Sequence, residues 1–390
     1  MVITGLERVV KEPALLAGTG RLGLLYNQAS VDSHFRVAPD LINKAFPRSL
    51  AALFGPQHGV GGTEQDNMRE TSHRTHPRLG IPIYSLYSQT RRPSAEMLAA
   101  VDTVLIDLQD VGTRVYTFAT TALFMMEACA AAGKKALILD RPNPINGLLV
   151  EGNVLDPAHS SFVGPFPIPM RHGLTLGELM TLYNEEYGIG CELKVVPMAG
   201  WNRNEYFEET GLPWVLPSPN MPLVETAMVY PGQVILEGTN LSEGRGTTRP
   251  FEIFGAPFLE PDRVREVLDS EALRGAILRE VDFKPTFNKR AGELCCGFQI
   301  HVTNRNVFRP YRATLAIISA LIKLYHKDFK WSDPPYEYVH DKLPIDVILG
   351  DDRVRRDLEQ GRSVLDMEKE WQGEVSQFIK KRSRFLLYPS

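Results

Sequence analysis

The stretch TVLIDLQD (residues 103–110) stays apolar through its middle and then ends in acids and an amide. A strand with one wet face alternates apolar and polar residues, whereas a continuous apolar run fits a strand covered on both faces, the condition of a parallel sheet between helices. Four more stretches share its character: RLGLLYNQ (21–28), SLAALFG (49–55), PIYSLY (82–87) and KKALILDRPNP (134–144). Between them lie helical patterns in VDSHFRVAPDLINKAF (31–46), in the S-A-E-M-L-A-A segment after Pro93, and in TFATTALFMMEACAAAG (117–133). Strands and helices alternating in this way predict an α/β fold, a doubly wound and mostly parallel sheet with right-handed crossovers.

After residue 145 the texture changes. Residues 145–173 are too rich in Gly and Pro for another regular unit, and LTLGELMTLYNEEYG (174–188) then reads as an amphipathic helix opened by a Thr175/Glu178 capping box. A strand is expected in CELKVVPM (191–198), followed by a long Pro-, Gly- and Asn-rich passage to about 260. Beyond it the pattern predicts helices at 261–279 and 310–326, strands at 281–287 and 295–303, and a charged helical region at 351–381. With 390 residues there is room for two units, and the boundary is placed near 228, where PSPNMP gives way to what reads as a β-rich section. The division is residues 1–228 as the catalytic domain and 229–390 as a smaller α+β domain closing a cleft.

Net charge is -4, which leaves no basic excess to neutralise phosphates, so nucleic-acid and anionic-membrane partners are not expected. No apolar run approaches the ~20 residues of a membrane span. MVITGLERVVKEPALL has charges in its first dozen residues and no apolar core, so no secretory signal is expected and the location is read as cytoplasmic. The four cysteines lack C-x-x-C spacing and fit reduced, structural thiols. No G-x-G-x-x-G follows any of the strands, no G-x-x-x-x-G-K-[ST] or G-x-S-x-G occurs, and no cofactor is expected. Arg171-His172-Gly173 resembles the opening motif of histidine phosphatases, but it stands mid-chain after PFPIPM rather than at the end of a first strand.

In open parallel sheets, ligands bind outside the carboxyl ends of the strands. Here those ends carry Asn27 and Gln28, Gln57, His58, Glu64 and Asp66, Tyr84 and Tyr87, Asp107, Gln109 and Asp110, and Asp140, Arg141 and Asn143. Carboxylates dominate, the equipment of glycoside hydrolysis, in which one acid protonates the leaving oxygen and a second group acts on the anomeric carbon or on water. Each also has a plainer role as the cap of a turn. His58, Asp66, Asp107, Asp110 and His172 are suitable metal ligands, but no motif fixes their spacing and no metal site is assigned. Tyr84, Tyr87, Tyr116 and Trp201 offer faces on which a sugar stacks.

The blocks FGPQHG (54–59), PIYSLY (82–87), PSAEML (93–98), DLQDVGTRVYT (107–117), LDRPNP (139–144), VEGNVL (150–155), IPMRHGLTLGEL (168–179) and EGTNLSEGRGTTRPFEIFGAP (237–257) closely resemble the bacterial exo-β-N-acetylmuramidases, the NamZ-like family long known only as a domain of unknown function. The resemblance runs in order from about residue 20 to 260. It implies a Rossmann-like N-terminal domain, a smaller C-terminal domain, and a cleft from which N-acetylmuramic acid is released from the non-reducing ends of peptidoglycan fragments. Absence of a signal peptide points to a cytoplasmic role in peptidoglycan recycling and cell wall turnover. The lactyl carboxylate of that sugar calls for a cation, and Arg114, Arg141, Arg171 and Arg245 each stand within a matching block. His172 accompanies Arg171 before a helix start, while Asn143 and Asn240 suit hydroxyls or the N-acetyl group.

One letter departs from the family pattern. Relatives commonly show P-E-H-G where this chain has Pro56-Gln57-His58-Gly59. Glutamine exchanges no proton at neutral pH and only hydrogen-bonds. Three explanations stay open: Glu64 has taken the role, a related substrate is cleaved by another assignment, or the protein binds muramyl sugars without cutting them. The first is preferred, with Glu64 as general acid, Asp110 or His58 assisting, and Gln57 and Tyr116 contacting substrate. The competing readings are a non-catalytic sugar sensor and a metal-dependent hydrolase.

Overall fold

The computed structural model describes residues 1–66, 68–88 and 90–390. Seven strands form the main sheet: β1 (Leu22–Tyr26), β2 (Leu50–Gly55), β3 (Arg74–Thr75), β4 (Pro82–Ser85), β5 (Thr103–Asp107), β6 (Lys135–Leu139) and, after a small antiparallel pair β7 (Glu151–Val154) and β8 (Pro169–Arg171), β9 (Glu192–Val196). Their order across the sheet is β3-β4-β2-β1-β5-β6-β9. All neighbours are parallel except the two-residue β3, which runs against β4. Counted without β3, the strand order is that of the Rossmann fold, 3-2-1-4-5-6, reversing between β1 and β5. β1 and β5 are buried at every position, as their unbroken apolar runs require, whereas β9 at the edge is partly exposed.

One face of the sheet packs on the helices Gly5–Lys11 and Ala38–Ala45. The other packs on Thr117–Ala131 and Leu176–Glu186, and that core continues without a break into the second half of the chain through Met228, Ile235, Phe254, Phe298 and Leu315. Thr117–Ala131 is apolar around most of its circumference because it is covered on both sides. The Thr175/Glu178 capping box forms as the sequence indicates, with Thr175 N–H on Glu178 Oε2 at 3.0 Å.

In the second half, β10 (Ile253–Ala256), β11 (Ala276–Phe283) and β12 (Cys295–Val302) form an antiparallel sheet in the order β10-β12-β11. Helices Pro310–Leu324, Pro344–Leu349, Asp352–Glu359 and Val364–Arg382 complete it. Two expectations need correction. Residues after 228 do not open a β-rich section, because Val224–Gln233 is a helix that carries the chain through that position. The helix expected at 261–279 stops at Val267; residues 276–283 instead pair with β12 along their whole length, so strand pairing overrides a helical composition.

The tail folds back onto the first sheet. Arg382 donates to the carbonyls of Gly147, Leu148, His172 and Gly173. Tyr388 donates to Asp140 Oδ2 at 2.5 Å, just past β6, and accepts from Met198 N–H at 3.0 Å. No described helix is long and apolar enough to cross a membrane.

Candidate active site

β2 ends at Gly55, and the turn Pro56–Gly59 reverses the chain, with Gly59 N–H on Pro56 O at 3.0 Å. His58 takes a left-handed backbone (φ 69°), which is costly for a residue with a side chain. The turn aims Gln57 at the start of helix Thr117–Ala131. Gln57 Oε1 accepts from Thr117 Oγ1 at 2.6 Å, which leaves its amide N–H groups facing the other way, and Nε2 donates to Glu337 Oε1 at 3.3 Å.

Glu337 comes from the far end of the sequence. A hairpin closed by Tyr336 and Val339, paired through both backbone bonds at 3.0 and 2.9 Å, carries it over the carboxyl edge of the sheet. Both tip residues are left-handed, Glu337 at φ 42° and Tyr338 at φ 67°, positions a tight hairpin normally gives to Asn and Gly. Tyr87, completely buried after β4, donates its hydroxyl to Glu337 Oε2 at 2.7 Å. Burial and the neighbouring Glu237 push the Glu337 carboxyl above the usual range, against the opposing pull of the Tyr87 and Gln57 donors and of Arg91.

A second carboxylate, Glu237, accepts from Tyr336 Oη at 2.7 Å and from Arg245 Nη2 at 2.5 Å. Arg245 also lies 3.2 Å from Glu243, which Lys289 approaches at 2.7 Å. The flanking Gly244 and Gly246 are both left-handed, and a side chain at Gly246 would strike the backbone of Phe287, so the tight double turn that presents Arg245 depends on them. Gln57, His58, Tyr116, Ser218, Asn220, Tyr230, Glu237, Arg245, Tyr336 and Glu337 thus enclose one pocket between the sheet edge and the second half. About 40 Å³ stays free among them, room for two or three waters.

His58 Nδ1 lies 2.6 Å from the carbonyl of Glu64, which can only accept, so Nδ1 carries the proton and Nε2 is left as an acceptor. Burial and the Arg245 charge lower the imidazole to about 4, which makes it neutral at pH 7.

Of the residues expected at the site, Gln57, His58, Tyr116 and Arg245 line this pocket. The others stand elsewhere. Glu64 gives its carbonyl to His58 and lines a separate outer recess of about 260 Å³ with Glu70, Arg74 and Tyr84. Asp110 is buried, accepts from Gly112 N–H at 2.7 Å and lies 3.7 Å from His172 Nε2; burial raises it to about 7 and lowers His172 to about 3. Arg114 donates to four backbone carbonyls, at Asn153, Ile168, Ile348 and Leu349, and so ties the two halves together. Arg141 is locked to Asp107 by bonds of 2.6 and 2.9 Å. Arg171 donates to Ile145 O, Asn143 bonds Leu174 O and Ile145 N–H, and Asn240 bonds Asp328 O and Lys330 N–H. Trp201 is 1% exposed and packs on Tyr388, out of reach of a sugar. At the point where the strand order reverses, Asn27 and Gln28 bond the carbonyls of Pro217 and Leu216, so that segment fills the crevice and the pocket lies beside it, beyond β2 and β4.

Sequence reasoning missed Glu237, Glu337, Tyr230, Tyr336 and Asn220. The signal was there in PPYEYVHDK (334–342), an acid between two tyrosines in a proline-punctuated turn. Arg91 was also missed: it lies over the ring of Tyr338 at 3.6 Å, and its Nε and Nη2 are buried with no hydrogen-bond partner among the described residues.

A Rossmann-type sheet whose carboxyl edge meets a second domain at a pocket holding two carboxylates and an arginine defines a class, that of two-domain α/β proteins with a polar pocket at the sheet's carboxyl edge. Within it, the chain belongs to the NamZ family: models described as exo-beta-N-acetylmuramidase NamZ, N-terminal and C-terminal, match residues 22–225 and 228–388. It is 41% identical over 387 residues to the peptidoglycan beta-N-acetylmuramidase NamZ of Bacillus subtilis (strain 168), covering 99% of this chain and 91% of that protein. Two crystal structures of DUF1343 family proteins from Bacteroides fragilis NCTC 9343 are also similar. One has a TM-score of 0.89 at 33% identity over 99% of both chains. The other has a TM-score of 0.76 at 28% identity over 100% of this chain and 99% of that one.

Proposed function

We propose that this protein is an exo-acting glycoside hydrolase that releases N-acetylmuramic acid from the non-reducing ends of peptidoglycan fragments. The observation that carries the reading is the convergence of Glu237, Glu337 and Arg245 in one enclosed pocket of a NamZ-family chain. Two carboxylates in a desolvated site divide acid and base work. Arg245 is the one of the four expected arginines that lines the pocket, and it is assigned to the lactyl carboxylate. Because so little space is free, a sugar ring requires the 336–339 hairpin to withdraw; its return brings Glu337 over the bound sugar. The reading places the reaction in the cytoplasm, in keeping with four free cysteines, three of them buried.

The test is release of reporter from a chromogenic N-acetylmuramide, with the N-acetylglucosaminide as control. Turnover of the first and not the second is expected; no turnover of either sinks the reading. Gln57, where the family pattern commonly has glutamate, favours a second reading in which the pocket binds muramyl sugars without cutting them. Calorimetry showing tight binding of N-acetylmuramic acid, with no product from any muramide, would establish that one.

A further inference from the structure

We propose that Glu337 is the proton-donating carboxyl of this site, with Gln57 and Tyr87 as the residues that hold it. This rests on the glycosidase reading above. The first support is the logic of the pair. Thr117 fixes the Gln57 amide so that its nitrogen faces Glu337, and the amide donates to the carboxyl whatever its ionisation, where a second carboxyl would have to share a proton with it. Glutamine at 57 thus suits a carboxyl at 337 as a neighbour. The titratable group is present, displaced from the strand-end loop to the hairpin opposite it.

The second support is the backbone. Glu337 and Tyr338 are two consecutive left-handed residues with side chains, and such strain persists where position matters more than stability. The third is electrostatic. Glu337 interacts with Glu237, Tyr230, Tyr87 and Arg91; burial and Glu237 favour its protonated form, while Tyr87, Gln57 and Arg91 oppose this, and burial prevails. Glu64, by contrast, is a lining residue of the outer recess.

The step balances as follows. Glu337 gives its proton to the glycosidic oxygen as the bond from that oxygen to C1 breaks, and the leaving sugar departs as an alcohol. Water supplies the oxygen that bonds to C1. One of its protons stays on the new anomeric hydroxyl and the other goes to the carboxylates of the pocket, which restores the acid.

The experiment compares two muramides in Glu337→Gln, one with a disaccharide or alkyl leaving group and one with a dinitrophenyl leaving group that needs no proton. Loss of the acid lowers kcat on the first by about 10³-fold and on the second by less than about tenfold. Glu64→Gln stays within about twofold of wild type on both. Tyr87→Phe removes a donor to the carboxylate and so moves the alkaline limb of the pH–rate profile to higher pH. Equal activity of Glu337→Gln and wild type, an unmoved limb in Tyr87→Phe, or leaving-group dependence appearing in Glu64→Gln instead would overturn the assignment while leaving the glycosidase reading intact. A wild type inactive on both muramides would overturn both.

Discussion

Replacing Gln57 by Glu restores the letter common among relatives and, in this chain, sets two carboxylates against each other. The Gln57 nitrogen lies 3.3 Å from Glu337 Oε1 in a buried pocket. Two unit negative charges at 3.3 Å repel by roughly 5 kcal/mol at an effective dielectric of about 20. At low pH one shared proton relieves this, and the pair titrates as a unit. The upper of its two ionisations lies above the unfolded carboxyl range, so the stability present at low pH is lost as pH rises through it. With about 2.1 cal/mol/K of unfolding entropy per residue, a cost of 5 kcal/mol in a chain of 390 residues lowers Tm by about 6 °C. Scanning fluorimetry of both proteins from pH 5 to 8.5 reads it directly. The expected result is Tm values that nearly coincide at pH 5 and diverge to several degrees by pH 8. A gap that does not change with pH would refute the reasoning, since position 57 would then have no carboxyl beside it.

Two further outcomes concern the framework. Arg141→Met strands the Asp107 carboxylate, which is fully buried at the end of β5, and costs about 3–5 kcal/mol in thermal denaturation; the double variant with Asp107→Asn recovers most of it, and a single-variant loss below about 1 kcal/mol would contradict the pairing. Asp110, raised to about 7 by burial, contributes stability at low pH that is lost as pH climbs from the unfolded carboxyl range through 7, so Asp110→Asn gains Tm relative to wild type between pH 4 and 8.

The sheet was legible because burial on both faces writes itself as a continuous apolar run, and LGLLY, TVLID and KALIL are such runs. The rim rule also pointed to the carboxyl edge of the sheet, where the pocket lies. It did not tell apart the polar residues that serve a ligand from those that serve the chain, because both kinds end strands. Arg141, Asn143 and Asp110 look like site residues in sequence and are absorbed by Asp107, by Leu174 and Ile145, and by Gly112. Glu337 was illegible for a different reason. Its partners are 250 and 280 residues away at Tyr87 and Gln57, and no local period or spacing carries such a contact. The family resemblance drew attention to the glutamine, and only the packing of the hairpin shows what faces it.

The bond from Tyr388 to Asp140 also bears on how the protein is made. The two residues are 248 apart, so at roughly 5–20 residues per second a ribosome needs about 12 to 50 s to deliver the tyrosine after the aspartate. Through that interval the nascent α/β half carries an incomplete edge, with Asp140 lacking one of its donors and the carbonyls of residues 147, 148, 172 and 173 still waiting for Arg382. Folding of the first-made domain is thus sealed by a late-made segment. Slow codons between the two domains would therefore lengthen its exposure rather than help it fold.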